Sequence, residues 1–168
     1  MSSTPLKATG VFDASKIINN HASFYWTCLE LADLLKSLIN DRKITFKKEV
    51  RILAVNMKAS PFASVVSLLL DIPLVTIDHS GPKHKIYDID ILDDLQNLRN
   101  YTYVYLGDFC IGGTEIKIAQ TYARISNSEL NTAIVIGAYF NNDHFNPSFQ
   151  LFSLVNINGL HPNAQFSI

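Results

Sequence analysis

Short apolar segments alternate along the chain with longer segments of helical periodicity, and this alternation limits the possible folds more than any other feature. Five segments rich in β-branched and aromatic residues have the length of buried strands. In the segments between them, apolar residues recur at three- and four-residue spacing, which predicts amphipathic helices. This order predicts an α/β fold with a mostly parallel twisted sheet flanked by helices on both faces. The main strands are predicted at residues 50–57, 74–78, 101–106, 131–140 and 149–157, with a short one at 44–46, and the helices at 22–39, 61–71, 91–98 and 114–125.

The composition fits a single domain spanning residues 1–168. The chain has 168 residues, of which 48% are hydrophobic, enough for a substantial core. A net charge of -1 gives no electrostatic basis for a nucleic-acid or membrane-surface partner. The N-terminus lacks the layout of a signal peptide, and Asp71 and Pro73 interrupt the longest apolar run, so we expect a cytoplasmic protein with no membrane span. Cys28 and Cys110 lack metal-ligand spacing and are expected to be free thiols.

Three loops follow predicted strands at the carboxyl edge of the sheet, where ligands bind in folds of this kind. They cover residues 58–60, 79–85 and 107–115. In the last loop, Gly112 and Gly113 separate a strand from a helix, and the free N–H groups of a first helical turn favour anions there. The same glycines equally fit a tight turn that needs positive φ. Their spacing is neither that of a P-loop nor that of a dinucleotide-binding motif.

Two stretches of the sequence resemble the type I phosphoribosyltransferases. VYLGDFCIGGTE is similar to the ribose-phosphate motif of that family, in which a hydrophobic strand and two acidic residues precede a Thr/Gly-rich loop. VNMKASPFASVVSLLLDIPLVTID is similar to the family's strand, pyrophosphate loop, helix and next strand. The resemblance covers residues 50–140. It implies a type I phosphoribosyltransferase-like fold with a small hood built from the chain ends, and a homodimer as one possible assembly.

The activity implied by the resemblance is transfer of a phosphoribosyl group from phosphoribosyl pyrophosphate to a nitrogen base, with Mg²⁺ as cofactor and release of pyrophosphate. Asp108 matches the acid that reaches the ribose hydroxyls and would also hold Mg²⁺. The pyrophosphate loop of the family often contains a cis peptide, and Met57–Lys58 is a candidate for one. Lys83 and Lys85 lie where the family has a mobile catalytic loop. The implied site residues are Asp108, Ile111, Gly112, Gly113 and Thr114 for ribose phosphate, Met57, Lys58 and Ala59 for pyrophosphate, and Asp108, Lys83 and Lys85 for catalysis.

The sequence also departs from the family pattern at four positions. Gly107 stands where the first motif acid is expected, Ile111 where many members have a hydroxyl, and Ala59 where they have glycine. Glu115 follows the phosphate loop directly; a carboxylate in a first helical turn is normally favourable, but here it would also repel a phosphate held nearby. An aspartate at position 107 is expected to tighten ligand binding.

Three functions therefore stay open at this point. Lys58 favours an active phosphoribosyltransferase. Gly107 favours a catalytically silent domain that binds a nucleotide or phosphoribosyl ligand as a sensor or regulatory subunit. The third is a purely structural or partner-binding domain.

Overall fold

The computed structural model describes residues 13–41, 49–77, 101–139 and 149–157. These residues contain four helices and five strands. In chain order the elements are α1 (Ala14–Ile18), α2 (His21–Asn40), β1 (Val50–Val55), α3 (Ser60–Leu70), β2 (Leu74–Ile77), β3 (Thr102–Cys110), α4 (Thr114–Ile125), β4 (Glu129–Ala138) and β5 (Gln150–Asn156).

The five strands form one sheet in the order β2-β1-β3-β4-β5, and every pairing among them is parallel. The central strand β3 pairs with β1 on one side and with β4 on the other. Because neighbouring strands run in the same direction, their carboxyl ends meet at one edge of the sheet. The loops that follow β1 and β3 are therefore neighbours at that edge. This confirms the predicted parallel α/β sheet.

Helices cover both faces of the sheet, because side chains on each strand point alternately to opposite sides. On one face, α1, α2 and α3 pack over side chains that include Val104 and Leu106 of β3. On the other face, α4 packs over Tyr103 and Tyr105 of the same strand. Both tyrosines are buried. Each face thus has its own apolar core.

The boundary between β1 and α3 differs from the prediction by a few residues. Strand β1 ends at Val55 because Asn56 leaves the extended region, with φ of 72°. Helix α3 begins at Ser60, so Ala59 is its N-cap and Pro61 is its second residue. The predicted helix at 61–71 places Ser60 at the N-cap position instead. In the structure, the Ser60 hydroxyl donates to the carbonyl oxygen of Asn56 at 2.8 Å.

Strand β3 is longer than predicted, and this changes where the candidate motif lies. The strand continues to Cys110, four residues beyond its predicted end. Gly107 therefore lies within the sheet, opposite Val135 of β4. Asp108 is likewise a strand residue rather than part of a loop. The predicted strand at 44–46, the helix at 91–98 and most of the chain-end hood lie outside the described residues.

Candidate functional site

Helix α4 begins at the double glycine with an open N-terminus. Gly113 is the N-cap, with φ of 67° and ψ of 16°, and no described side chain caps the helix there. Glycine adopts this left-handed conformation without the steric cost of a Cβ. At Gly112 a Cβ would meet no atom within 4 Å. The expected turn with positive φ is therefore found at Gly113, whereas the anion site at the two glycines stays a prediction.

The Cys110 thiol lies beneath this turn. Burial raises the pKa of the Cys110 thiol, and the nearby Glu115 carboxylate adds to this effect. A hydrogen bond from the backbone N–H of Gly113 lowers the pKa and so opposes both. The thiol is buried and free, as expected from the sequence. The amides of the first turn of α4, starting at Thr114, are the donors that a helix N-terminus offers to an anion.

Gly107 has no side chain because Tyr105 occupies the space where one would lie. A Cβ at position 107 would be 2.5 Å from both Cε1 and the hydroxyl oxygen of Tyr105. The ring is 2% exposed, and its hydroxyl donates to Glu115 Oε2 at 3.1 Å. The ring therefore has little freedom to move aside. A side chain at 107 would have to displace the Tyr105 ring, so an aspartate there carries a packing cost, and its expected gain in binding stays a prediction.

Asp108 lies half-buried near the end of β3, beside two charged groups from distant parts of the chain. Burial raises the pKa of Asp108, and hydrogen bonds from the backbone N–H groups of Phe109 and of Asp108 itself oppose that effect. The Lys58 ammonium lowers the pKa of Asp108, and the Asp13 carboxylate raises it. Lys58 Nζ lies 3.9 Å from Asp13 Oδ1. The site at Asp108 therefore includes a lysine from the predicted pyrophosphate loop and an acid from the N-cap of α1.

The turn after β1 has its backbone shaped by Asn56. Asparagine tolerates the left-handed region better than most residues, and φ of 72° at Asn56 redirects the chain there. All described peptide bonds are trans, so the predicted cis peptide at Met57–Lys58 is wrong. Met57 and Lys58 are exposed and Ala59 is fully buried. The turn therefore presents Met57 and Lys58 outward while Ala59 anchors it to the core.

Glu115 joins the two neighbouring loops. Asn56 Nδ2 donates a hydrogen bond to Glu115 Oε1, and the Tyr105 hydroxyl donates to Oε2. Burial, followed by the charge of Glu115, raises the pKa of Tyr105 well above its ordinary value, so the phenol stays a donor at neutral pH. The carboxylate that was expected to face a phosphate is thus held by a hydrogen bond at each oxygen.

The structure brings most of the predicted site residues to one edge of the sheet. Asp108, the turn at 56–59 and the loop at 111–114 all lie there. Lys83 and Lys85, with the whole 79–85 loop, lie outside the described residues. Sequence reasoning missed two participants, Asn56 and Asp13. The turn at Asn56 could have been predicted, because an asparagine near the end of a strand favours a turn. Nothing local in the sequence connects Asp13 with Lys58.

Magnesium is the cofactor that the resemblance implies, and Asp108 can be tested as its ligand. The described residues contain no group of three or more metal-ligating side chains. Mg²⁺ is commonly held by one or two carboxylates together with phosphate oxygens of the substrate. The single half-buried carboxylate of Asp108 fits an ion that arrives with a phosphorylated ligand, whereas it does not amount to a protein cage.

Among the described helices, none has the length and apolar character to cross a membrane.

Similarity to known proteins is detected through structure. No family model and no curated protein sequence matches the chain. The structure of orotate phosphoribosyltransferase from Aeropyrum pernix matches with a TM-score of 0.64 at 17% identity, over 88% of this chain and 79% of that one. Adenine phosphoribosyltransferase from Thermoanaerobacter pseudethanolicus matches with a TM-score of 0.62 at 15% identity, over 86% of both chains.

A third structure with the same fold carries ligands. It is adenine phosphoribosyltransferase from Trypanosoma brucei in complex with AMP, pyrophosphate and ribose 5-phosphate, with a TM-score of 0.60 at 14% identity, over 90% of this chain and 71% of that one. The sheet and the two loops at its carboxyl edge define an α/β protein with a candidate anion-binding site. More particularly, the chain has the type I phosphoribosyltransferase fold.

Proposed function

We propose that this protein binds a phosphoribosyl ligand, either phosphoribosyl pyrophosphate or a nucleotide, at the carboxyl edge of its sheet. One observation carries the proposal: the open N-terminus of α4 at Gly113 lies beside the Lys58 turn, in a fold shared with phosphoribosyltransferases. A helix N-terminus favours phosphate, and an exposed lysine favours a second phosphate group. The ligands of the Trypanosoma brucei enzyme, AMP, pyrophosphate and ribose 5-phosphate, are of this chemical class.

Each part of the ligand has a proposed partner in this site. The 5′-phosphate binds to the backbone at the start of α4, which is formed by Gly112, Gly113 and Thr114 next to Ile111. Asp108 accepts hydrogen bonds from the ribose hydroxyls. The turn formed by Met57, Lys58 and Ala59, in which Met57 and Lys58 are exposed, takes the pyrophosphate when the ligand has one. Mg²⁺, bound by pyrophosphate and Asp108, would neutralise negative charge that builds up on a leaving pyrophosphate.

Binding without efficient transfer is the function that the geometry favours. In transfer, a base nitrogen bonds to C1′ of the ribose while the bond from C1′ to pyrophosphate breaks. The sequence motif of the family places two carboxylates beside the ribose, and Tyr105 leaves no space for a second one on Gly107. A sensor or regulatory subunit needs the ligand to bind but does not need it to react.

Phosphoribosyl transfer is the second candidate function, and it has its own support. Lys58 is exposed at the turn, and its charge reaches Asp108. A domain that does not handle pyrophosphate has no need of this lysine. If the protein is active, Lys83 and Lys85 are the residues expected to close over the pyrophosphate.

Calorimetric titration with phosphoribosyl pyrophosphate and Mg²⁺, with AMP and with ribose 5-phosphate tests the proposed binding. Asp108→Ala should weaken binding by about ten- to a hundredfold, since a hydrogen bond to a charged group contributes about 1.5–3 kcal/mol. Asp33→Ala removes an exposed carboxylate from α2 and serves as the control. A pyrophosphate-release assay with a panel of bases then separates transfer from silent binding. Failure of all three ligands to bind the parent would contradict the proposed function.

Four further properties remain predictions from the sequence. We propose a single domain over residues 1–168, a cytoplasmic location, no nucleic-acid or membrane partner, and a homodimer as the assembly to test. Sedimentation of the purified chain with and without ligand measures the last of these.

A further inference from the structure

The turn after β1 and the start of α4 are joined by one side chain. Asn56 belongs to the turn that precedes Lys58, and Glu115 lies in the first turn of α4, 59 residues further along the chain. The hydrogen bond between them spans the gap between the loops that follow β1 and β3. Tyr105 holds the second carboxylate oxygen and thus fixes the carboxylate relative to the sheet. A displacement of either loop therefore changes a contact made by the other.

We propose that Glu115 is a positioning residue that couples the two halves of the site, so that occupancy of the phosphate loop strengthens binding of pyrophosphate at the Lys58 turn. This inference rests on the proposed function, because it assumes that both loops bind parts of one ligand. Anion binding at the start of α4 fixes the helical turn that carries Glu115, and the hydrogen bond from Asn56 to Glu115 passes this restraint to the Lys58 turn. The turn is then already held in place when the second group arrives, which lowers the ordering cost of binding it.

The Glu115→Gln variant provides a matched control for the coupling. Asn56 Oδ1 is buried and has no hydrogen-bond partner in the described part of the chain. If the Asn56 amide rotates by half a turn, the introduced glutamine can donate to this oxygen and still accept from Tyr105. Glu115→Gln thus removes the charge and keeps both links, whereas Glu115→Ala removes both.

The experiment measures the dissociation constant of pyrophosphate, with Mg²⁺ present, in the absence and presence of saturating ribose 5-phosphate. For the parent protein we expect at least about fivefold tighter binding in its presence, the lower end of typical coupling between sites. The ratio of the two dissociation constants, without and with ribose 5-phosphate, should fall to about one in Glu115→Ala. It should be retained in Glu115→Gln, because the hydrogen bonds and not the charge carry the effect.

A second variant protects the test against a folding defect in Glu115→Ala. Asn56→Gly removes the amide donor and suits the left-handed backbone at this position, so it should fold and should also lose the coupling. A ratio of one in the parent, with both probes bound, overturns the inference and leaves the proposed function standing. An unchanged ratio in Glu115→Ala and Asn56→Gly, or its loss in Glu115→Gln, overturns the inference as well. If pyrophosphate does not bind even with ribose 5-phosphate present, the inference is overturned, whereas failure of ribose 5-phosphate, phosphoribosyl pyrophosphate and AMP to bind contradicts the proposed function.

Discussion

The phenol ring of Tyr105 covers the α-carbon of Gly107, two residues further along the same strand. A Cβ at position 107 would lie 2.5 Å from the hydroxyl oxygen of Tyr105 and 2.8 Å from Cζ. Glycine is thus required at 107 by its neighbour, and positive φ plays no part, since the one described glycine with positive φ is Gly113. The absence of an acid at this point of the motif is therefore built into the core beneath α4, where Tyr105 binds Glu115.

The first prediction is that Gly107→Ala destabilises the fold. The added methyl group forces the buried Tyr105 ring aside, and overpacking of this kind costs about 1–3 kcal/mol. The free energy of unfolding in urea measures the effect. Gly112→Ala is the control, because a Cβ there meets open space. In a Tyr105→Leu background the cost at 107 should shrink, and an equal cost in both backgrounds would show that Tyr105 is not its cause.

The second prediction separates the roles of the paired glycines. Gly113→Ala places a Cβ on a left-handed backbone and should lower the free energy of unfolding by about 1–2 kcal/mol. Gly112→Ala should leave stability within about 0.5 kcal/mol of the parent, as surface substitutions usually do. Its methyl group, however, lies where the proposed phosphate approaches. Ribose 5-phosphate should therefore bind Gly112→Ala more weakly, and equal affinity measured by calorimetry would move the phosphate site away from this loop.

The third prediction concerns the dependence of stability on pH. Burial raises the pKa of Asp108 above its ordinary value of 3.8, so the folded state binds the proton more tightly than the unfolded state does. The stability that Asp108 contributes is therefore full below that ordinary value and is lost as pH rises through the folded pKa. Asp108→Asn should accordingly raise the free energy of unfolding at neutral pH, although it removes the proposed ribose acceptor.

The control for this prediction is the acidic range. Below the ordinary aspartate pKa of 3.8, Asp108 is protonated in both states, and the gain from Asp108→Asn should disappear. Urea unfolding at neutral pH and in this range measures both values. Equal stability of the variant and the parent at neutral pH would contradict the desolvation of this carboxyl.

The sequence predicted the parallel sheet because strand and helix periodicity are local properties. It also placed both loops at the correct edge, since parallel topology brings carboxyl ends together. The end of β3 was missed because glycine and aspartate are poor strand formers, yet Gly107 pairs in register with Val135. The links from Glu115 to Asn56 and from Asp13 to Lys58 join positions far apart in the chain. A single sequence holds no information on such pairs beyond the charges themselves.

The last prediction concerns the contact between Asp13 and Lys58. The Asp13 carboxylate lies beside the ammonium that we propose for pyrophosphate, so it competes with the ligand for that charge. Asp13→Asn removes the charge and keeps a side chain that caps α1 equally well. Pyrophosphate should bind this variant more tightly, by less than about fivefold, because exposed ion pairs contribute little. Salt should reduce the gain, since it screens exposed charges. Calorimetry at low and high salt tests this, with Asp33→Asn as the control on α2. Weaker binding in Asp13→Asn would reverse the assignment and would identify Asp13 as the second acid of the site, supplied by the N-terminal helix in place of the carboxylate that Gly107 lacks.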